Sequence, residues 1–138
     1  MMTKEIEIID INKKPILRFS EFQFVYDSVL KRILFSLSIH FEIFTANQPM
    51  EFEEADFLYL RDNLKKICSS HYKELAFKPM IDQRISLDFK KKNTEHIEVY
   101  ARVYNELFTG ELKIKFETEI VHLLTFIEKI DKLIEKRF

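Results

Sequence analysis

Gly110-Glu111-Leu112-Lys113-Ile114-Lys115-Phe116-Glu117-Thr118, running on into Glu119-Ile120-Val121-His122-Leu123-Leu124, changes its hydrophobic period once. Leu112, Ile114 and Phe116 alternate with charged residues, the pattern of a strand with one wet face. From Ile120 the apolar positions become Leu123, Leu124, Ile127, Ile130, Leu133 and Ile134, spaced as one face of a helix. A charged strand therefore feeds straight into a helix, which points to an α+β domain.

Working outward, the same two periods recur. Ile6 and Ile8 alternate with Glu5 and Glu7, predicting a first strand near residues 4–11. Asn12-Lys13-Lys14-Pro15 reads as a turn. Phe22, Phe24 and Tyr26 suggest a second strand, and residues 28–34 read equally as a helical turn or a loop. Phe35, Leu37, Ile39, Phe41 and Ile43 alternate with Ser36, Ser38, His40 and Glu42, a long strand that Thr45-Ala46-Asn47-Gln48-Pro49 is expected to break. Phe57, Leu60, Leu64 and Ile67 step by three and four, predicting a helix over about residues 52–70. Its acids (Glu53, Glu54, Asp56) lie early and its bases late, as the helix dipole favours. Leu75 and Phe77 suggest a short edge strand, and the runs 85–90 and 96–104 suggest a hairpin joined through Lys91-Lys92-Asn93-Thr94. Gly110, the only glycine, is expected to supply a positive φ in the turn that begins at Asn105.

The expected fold is a single α+β domain over residues 1–138: a mainly antiparallel twisted sheet of about six strands, with two amphipathic helices (about 52–70 and 119–136) on one face. Neither repeats nor linkers stand out. With 46% hydrophobic residues, fourteen Phe and no Trp, the core is expected to rest on Phe, Ile and Leu. A chain of 138 residues buries enough surface to fold without disulfides or metal.

Composition also narrows the function. A net charge of −1 argues against a generic nucleic-acid binder. A single cysteine, Cys68, fits a reducing compartment. The N-terminus lacks the apolar run of a secretory signal, and no stretch has the length of a membrane span, so a cytoplasmic location is expected. One glycine leaves no room for a nucleophile elbow or a glycine-rich phosphate cradle. Cys68 and His71 are three apart on the first helix, but two ligands fall short of a zinc site. Neither catalytic residues nor a cofactor or metal is expected, although acids are plentiful enough for carboxylate chemistry to stay open. The Lys90–Lys92 tip is too short a basic run to signal phosphate binding.

Two surfaces are candidates for binding. Between Glu42 and Asp62 stand six acids against one base, Arg61; Glu51, Glu53, Glu54 and Asp56 gather around the helix start. The second surface is the wet side of the strands. His40 and Glu42 point outward on one, and His96, Glu98, Tyr100, Arg102 and Tyr104 on another. Tyr and Arg combine large contact area with directional hydrogen bonds and are enriched at protein interfaces.

In order, the Glu5-Ile6-Glu7-Ile8 strand, the Phe35–Phe44 strand, the acidic helix start Glu51–Leu64, Ala76-Phe77, Ile85–Phe89, Ile97–Arg102 and the Gly110–Glu119 strand opening a helix form a layout that resembles the WapI family of bacterial immunity proteins. The matched positions are capping and core positions. The resemblance implies a small cytoplasmic protein that neutralises a cognate protein toxin by stoichiometric binding, without catalysis. The implied partner is that toxin, with no nucleic acid or membrane, and the chain a monomer or weak homodimer. The contact residues would be drawn from His40, Glu42, Glu51, Glu53, Glu54, Asp56, Tyr100, Arg102 and Tyr104. An acidic surface could stand in for nucleic-acid phosphates if the toxin were a basic nuclease. A ligand-binding or regulatory domain is the alternative, and a carboxylate enzyme the third reading.

Overall fold

The computed structural model describes residues 5–27, 29–69 and 72–135. Among these stand β1 (Glu5–Ile9), β2 (Pro15–Tyr26), β3 (Lys31–Phe41), β4 (Phe44–Glu53), α1 (Glu54–Cys68), β5 (Glu74–Phe77), β6 (Ile85–Lys91), β7 (His96–Tyr104), β8 (Glu111–Glu119) and α2 (Ile120–Glu135). The chain is an α+β domain, as its periodicity predicts, but with eight strands rather than about six. They divide into two antiparallel meanders, β1-β2-β3-β4 and β5-β6-β7-β8. Each meander runs without a loop into its helix, so a ββββα architecture occurs twice. The residues show no such repeat, because an amphipathic pattern can be met by many sequences.

Two differences from the predicted elements have clear causes. In β2, Ser20 lies opposite Ser36 but Gln23 lies opposite Leu34, so Glu21 and Phe22 together face Phe35. Glu21 takes φ 55° at this bulge. The extra residue moves the inward phase from Leu17 and Phe19 to Phe22 and Phe24. Alternation is thus broken within one strand. The stretch Thr45–Pro49, expected to end the long strand, is instead the body of β4. It pairs with β3 from Phe41↔Phe44 onward, and the turn is only Glu42-Ile43, with Glu42 at φ 55°. Pro49 is tolerated because β4 is an edge strand, where a missing N–H costs no ladder bond.

The inner faces of both meanders and the two helices share one core. Phe19 of β2 meets Phe57 of α1 (6.4 Å between ring centres) and Phe126 of α2 (5.8 Å), so both helices lie over the same side of the first sheet. Phe52 and Phe57 approach to 5.0 Å, and Phe52 and Phe35 to 4.8 Å. Such pairs add roughly 0.5–1.5 kcal/mol each to the burial of their area. Arg61 Nη1 donates to Asp131 Oδ1 (3.0 Å), tying α1 to α2.

Polar bonds join the two meanders at both ends. Thr118 Oγ1, fully buried, donates to the Ile9 carbonyl (2.6 Å), and Ile11 N–H donates to the Glu117 carbonyl (3.0 Å). On the far side, Gln48 Nε2 donates to the Tyr104 carbonyl (2.8 Å). Arg84 Nη2 donates to the Pro49 carbonyl (2.9 Å), and Glu51 N–H donates to Asp82 Oδ2 (2.9 Å). Among the described residues, no helix is long and apolar enough to cross a membrane.

Candidate functional site

The outward residues predicted from sequence do not share one surface. His40 and Glu42 belong to the first sheet; Tyr100, Arg102 and Tyr104 belong to the second. His40 is exposed, opposite Thr45, beside a cleft of about 510 Å³ also lined by Asp10, Lys14, Arg18 and Glu42. Arg18 there is held by Glu7, its Nε donating to Oε2 at 3.0 Å.

The acidic group is also dispersed. Glu51 lies in β4 rather than in the helix, paired with Arg32 at 3.1 Å. Asp56 is 4% exposed. Its oxygens accept the N–H groups of Glu53 (2.9 Å) and Met80 (3.0 Å). Asp56 is therefore a structural residue with no face to offer a partner, contrary to its expected contact role. Glu53 and Glu54 are partly exposed at the β4–α1 junction.

The outer face of the second sheet is the more organised surface. Its rows run Ser86–Arg102–Lys113 and Asp88–Tyr100–Lys115. Lys115 Nζ lies 5.4 Å from the centre of the Tyr100 ring and 3.1 Å from Glu98 Oε2, and Tyr100 Oη donates to Glu98 (3.3 Å). The Lys115 bond holds the Glu98 carboxyl below its usual range and lifts the ammonium in turn. Glu111 gathers Tyr104, Lys113 (3.5 Å) and Arg102 (3.4 Å). The Tyr104 hydrogen bond, followed by the two cations, lowers the Glu111 carboxyl, while the same bond raises the Tyr104 phenol. Tyr100, Arg102, Lys113 and Lys115, with Ser86 and Asp88, line a shallow depression of about 350 Å³. It is a pre-ordered, charge-balanced surface with one aromatic ring at its centre.

Lys92 of the basic tip is bonded to Glu117. Cys68 is half-buried, which pushes its thiol up, and His71 lies outside the described residues. Among the described residues, no group of three His, Cys, Asp or Glu side chains is placed to hold a metal ion.

Sequence reasoning missed the Asp82–Arg84 pair and a groove of about 380 Å³ between β4 and the β7–β8 turn. Leu37, Ala46, Gln48, Tyr104 and Leu112 are among its lining residues. The groove joins residues far apart in the chain, and the Asp82–Arg84 pair, though local, takes its role from its bonds to Glu51 and Pro49 more than thirty residues away.

No family model matches the chain, and no curated protein matches it. Among solved structures, that of the plant transcriptional regulator PBF-2 is similar over 95% of this chain and 82% of that one, with 11% identity and a TM-score of 0.45. A likeness at that level carries no argument about function.

Proposed function

We propose that this chain is a non-catalytic protein-binding domain of the immunity type, which holds a cognate protein toxin by stoichiometric contact. The observation that supports it is the outer face of the second sheet, where Tyr100, Arg102, Lys113 and Lys115 are fixed by Glu98 and Glu111. A surface ordered before binding loses little side-chain entropy on contact, and its mixed charge favours a partner of matching pattern. The toxin partner itself rests on the resemblance to WapI-type immunity proteins.

Hydrogen bonds and neighbouring cations hold the Glu98 and Glu111 carboxyls below their ordinary range, which suits fixed charges on a binding surface. The sheet face is favoured over the acidic group because Asp56 is buried, which leaves that group without its central member. The test is coexpression with the product of the gene immediately upstream, scored by growth rescue and copurification. Tyr100→Ala with Arg102→Ala should abolish both, whereas Glu53→Gln with Glu54→Gln should leave both intact. The reverse pattern would move the contact to the acidic group, and failure of wild type to rescue would remove the toxin reading.

A further inference from the structure

Backbone groups on the outer edge of a sheet pair with another strand unless something blocks them. In an antiparallel ladder, alternate residues turn their N–H and C=O outward. On β4, the bond from Glu51 N–H to Asp82 and the bond from Arg84 to the Pro49 carbonyl fix the outward set as Thr45, Asn47, Pro49 and Glu51. The Glu51–Pro49 half of this edge is closed: Asp82 takes the Glu51 N–H, Arg84 takes the Pro49 carbonyl, and Pro49 has no N–H. The protection stops at Asn47. Its side chain is turned back to Ser36 (Oγ to Oδ1, 2.7 Å), so it does not cover its own backbone.

The other edges are managed differently. β1 carries Glu5 and Glu7 and is bridged to β8 near Ile9; β8 carries Lys113 and Lys115; β5 is four residues long and begins at Glu74. The acids of β1 repel a second copy of the same edge, and the mixed charges of β8 are already engaged in ion pairs within the chain (Lys113–Glu111, Lys115–Glu98, Glu117–Lys92). By contrast, Ile43-Phe44-Thr45-Ala46-Asn47-Gln48-Pro49-Met50 contains no charge at all. Thr45 and Asn47 are also self-complementary. With a two-fold axis at Ala46, Thr45 of each copy lies opposite Asn47 of the other, and every exposed donor meets an acceptor.

The same register sets Phe44 opposite Gln48 of the second copy. Phe44 is 52% exposed, and it lies on the inward side of β4 with Ala46 and Gln48. Ala46 and Gln48 line the groove of about 380 Å³ beside the β7–β8 turn. Directly opposite side chains in an antiparallel pair stand close enough to touch. Each Phe44 ring would thus leave water for the groove of the other molecule.

We propose that β4 is a self-association edge: two copies of this chain pair antiparallel through Thr45–Asn47, each inserting Phe44 into the other's groove. This goes beyond the toxin-binding reading and does not depend on it, since the pairing strand is β4 of the first sheet and neither Tyr100 nor Arg102 takes part.

Sedimentation equilibrium of the full chain, from micromolar to millimolar concentration, tests it. The expected result is a concentration-dependent dimer. Asn47→Pro removes one ladder donor per copy and should weaken dimerisation roughly tenfold or more. Phe44→Ser should weaken it as well, and Tyr100→Ala should not. Should Asn47→Pro fail to fold, Thr45→Lys places a like charge on the edge and should also give monomers. A chain that stays monomeric throughout overturns the proposal, as does a dimer indifferent to Asn47→Pro, Thr45→Lys and Phe44→Ser. A monomer whose edge variants lose only a different partner protein also overturns it and assigns the edge to that partner.

Discussion

Asp56 Oδ1 accepts the backbone N–H of Met80 at 3.0 Å, across 24 residues of chain. Its other oxygen accepts the N–H of Glu53, so one buried carboxylate both opens α1 and anchors the connection between β5 and β6. Asp56→Ala leaves two backbone donors without partners and should cost about 2–4 kcal/mol. Asp56→Asn keeps one acceptor oxygen and should cost about half as much. Urea midpoints with unchanged slopes would check both values.

The pair of Asp82 and Arg84 should make stability depend on acid. Burial works to raise the Asp82 carboxyl, but the Arg84 bonds and the Glu51 N–H outweigh it and hold the group below its ordinary value. Glu98 and Glu111 are likewise depressed, by Lys115 and by Tyr104 with its neighbouring cations. A carboxyl with a lower pKa folded than unfolded contributes fully above the unfolded value, near 4, and loses that contribution as pH falls through the folded one. Melting temperature should therefore be flat from about pH 8 to 5 and drop below about pH 4. Arg84→Ala should reduce the slope of that drop by removing one contributor.

Thr118 is the buried tie between the two meanders. Thr118→Val keeps the volume but strips the Ile9 carbonyl of its donor, and should cost about 1–3 kcal/mol. Thr118→Ser keeps the hydroxyl and should cost less, the loss of one methyl. Chemical denaturation separates the two.

The turn after β7 contradicts the role expected of the only glycine. Phe108 holds the positive φ (58°), and Gly110 does not. Asn105 organises the turn, its Oδ1 accepting the N–H groups of Thr109 and Gly110. A Cβ on Gly110 would stand 3.5 Å from Asn105 Nδ2, an ordinary contact. Gly110→Ala should therefore be neutral or stabilising by up to about 1 kcal/mol. Asn105→Ala should cost about 1–2 kcal/mol, because it frees both donors. Thermal melts of the two variants should move in opposite directions or differ clearly in size.

The parts of the fold legible in sequence were those whose period is unbroken. β3 from Phe35 onward, β6, β7, β8 and both helices follow from alternation or from three-and-four spacing, because each buries one face only; Lys31–Leu34, read as a helical turn or a loop, is the first part of β3. β2 was half legible, since the bulge at Glu21 exchanges the inward and outward sets midway. β4 was hidden by its composition: Asn47, Gln48 and Pro49 read as a turn, and only edge placement makes them a strand. The outward character of Tyr100, Arg102 and His40 was visible, but their division between two sheets was not. Strand pairing joins residues far apart in the chain, and periodicity carries no information about partners. Asp56 was misjudged for the same reason, because its second donor, Met80, lies beyond the helix.

Each ββββα half ends at its own helix, yet Phe19 of the first half packs against Phe126 of the second, and Thr118 of the second reaches Ile9 of the first. Neither half alone can shield its phenylalanines from water. Severing the peptide between Cys68 and Glu74 should thus give two fragments that misfold apart and recover the native shape when mixed. That would make the chain a natural scaffold for split-reporter complementation.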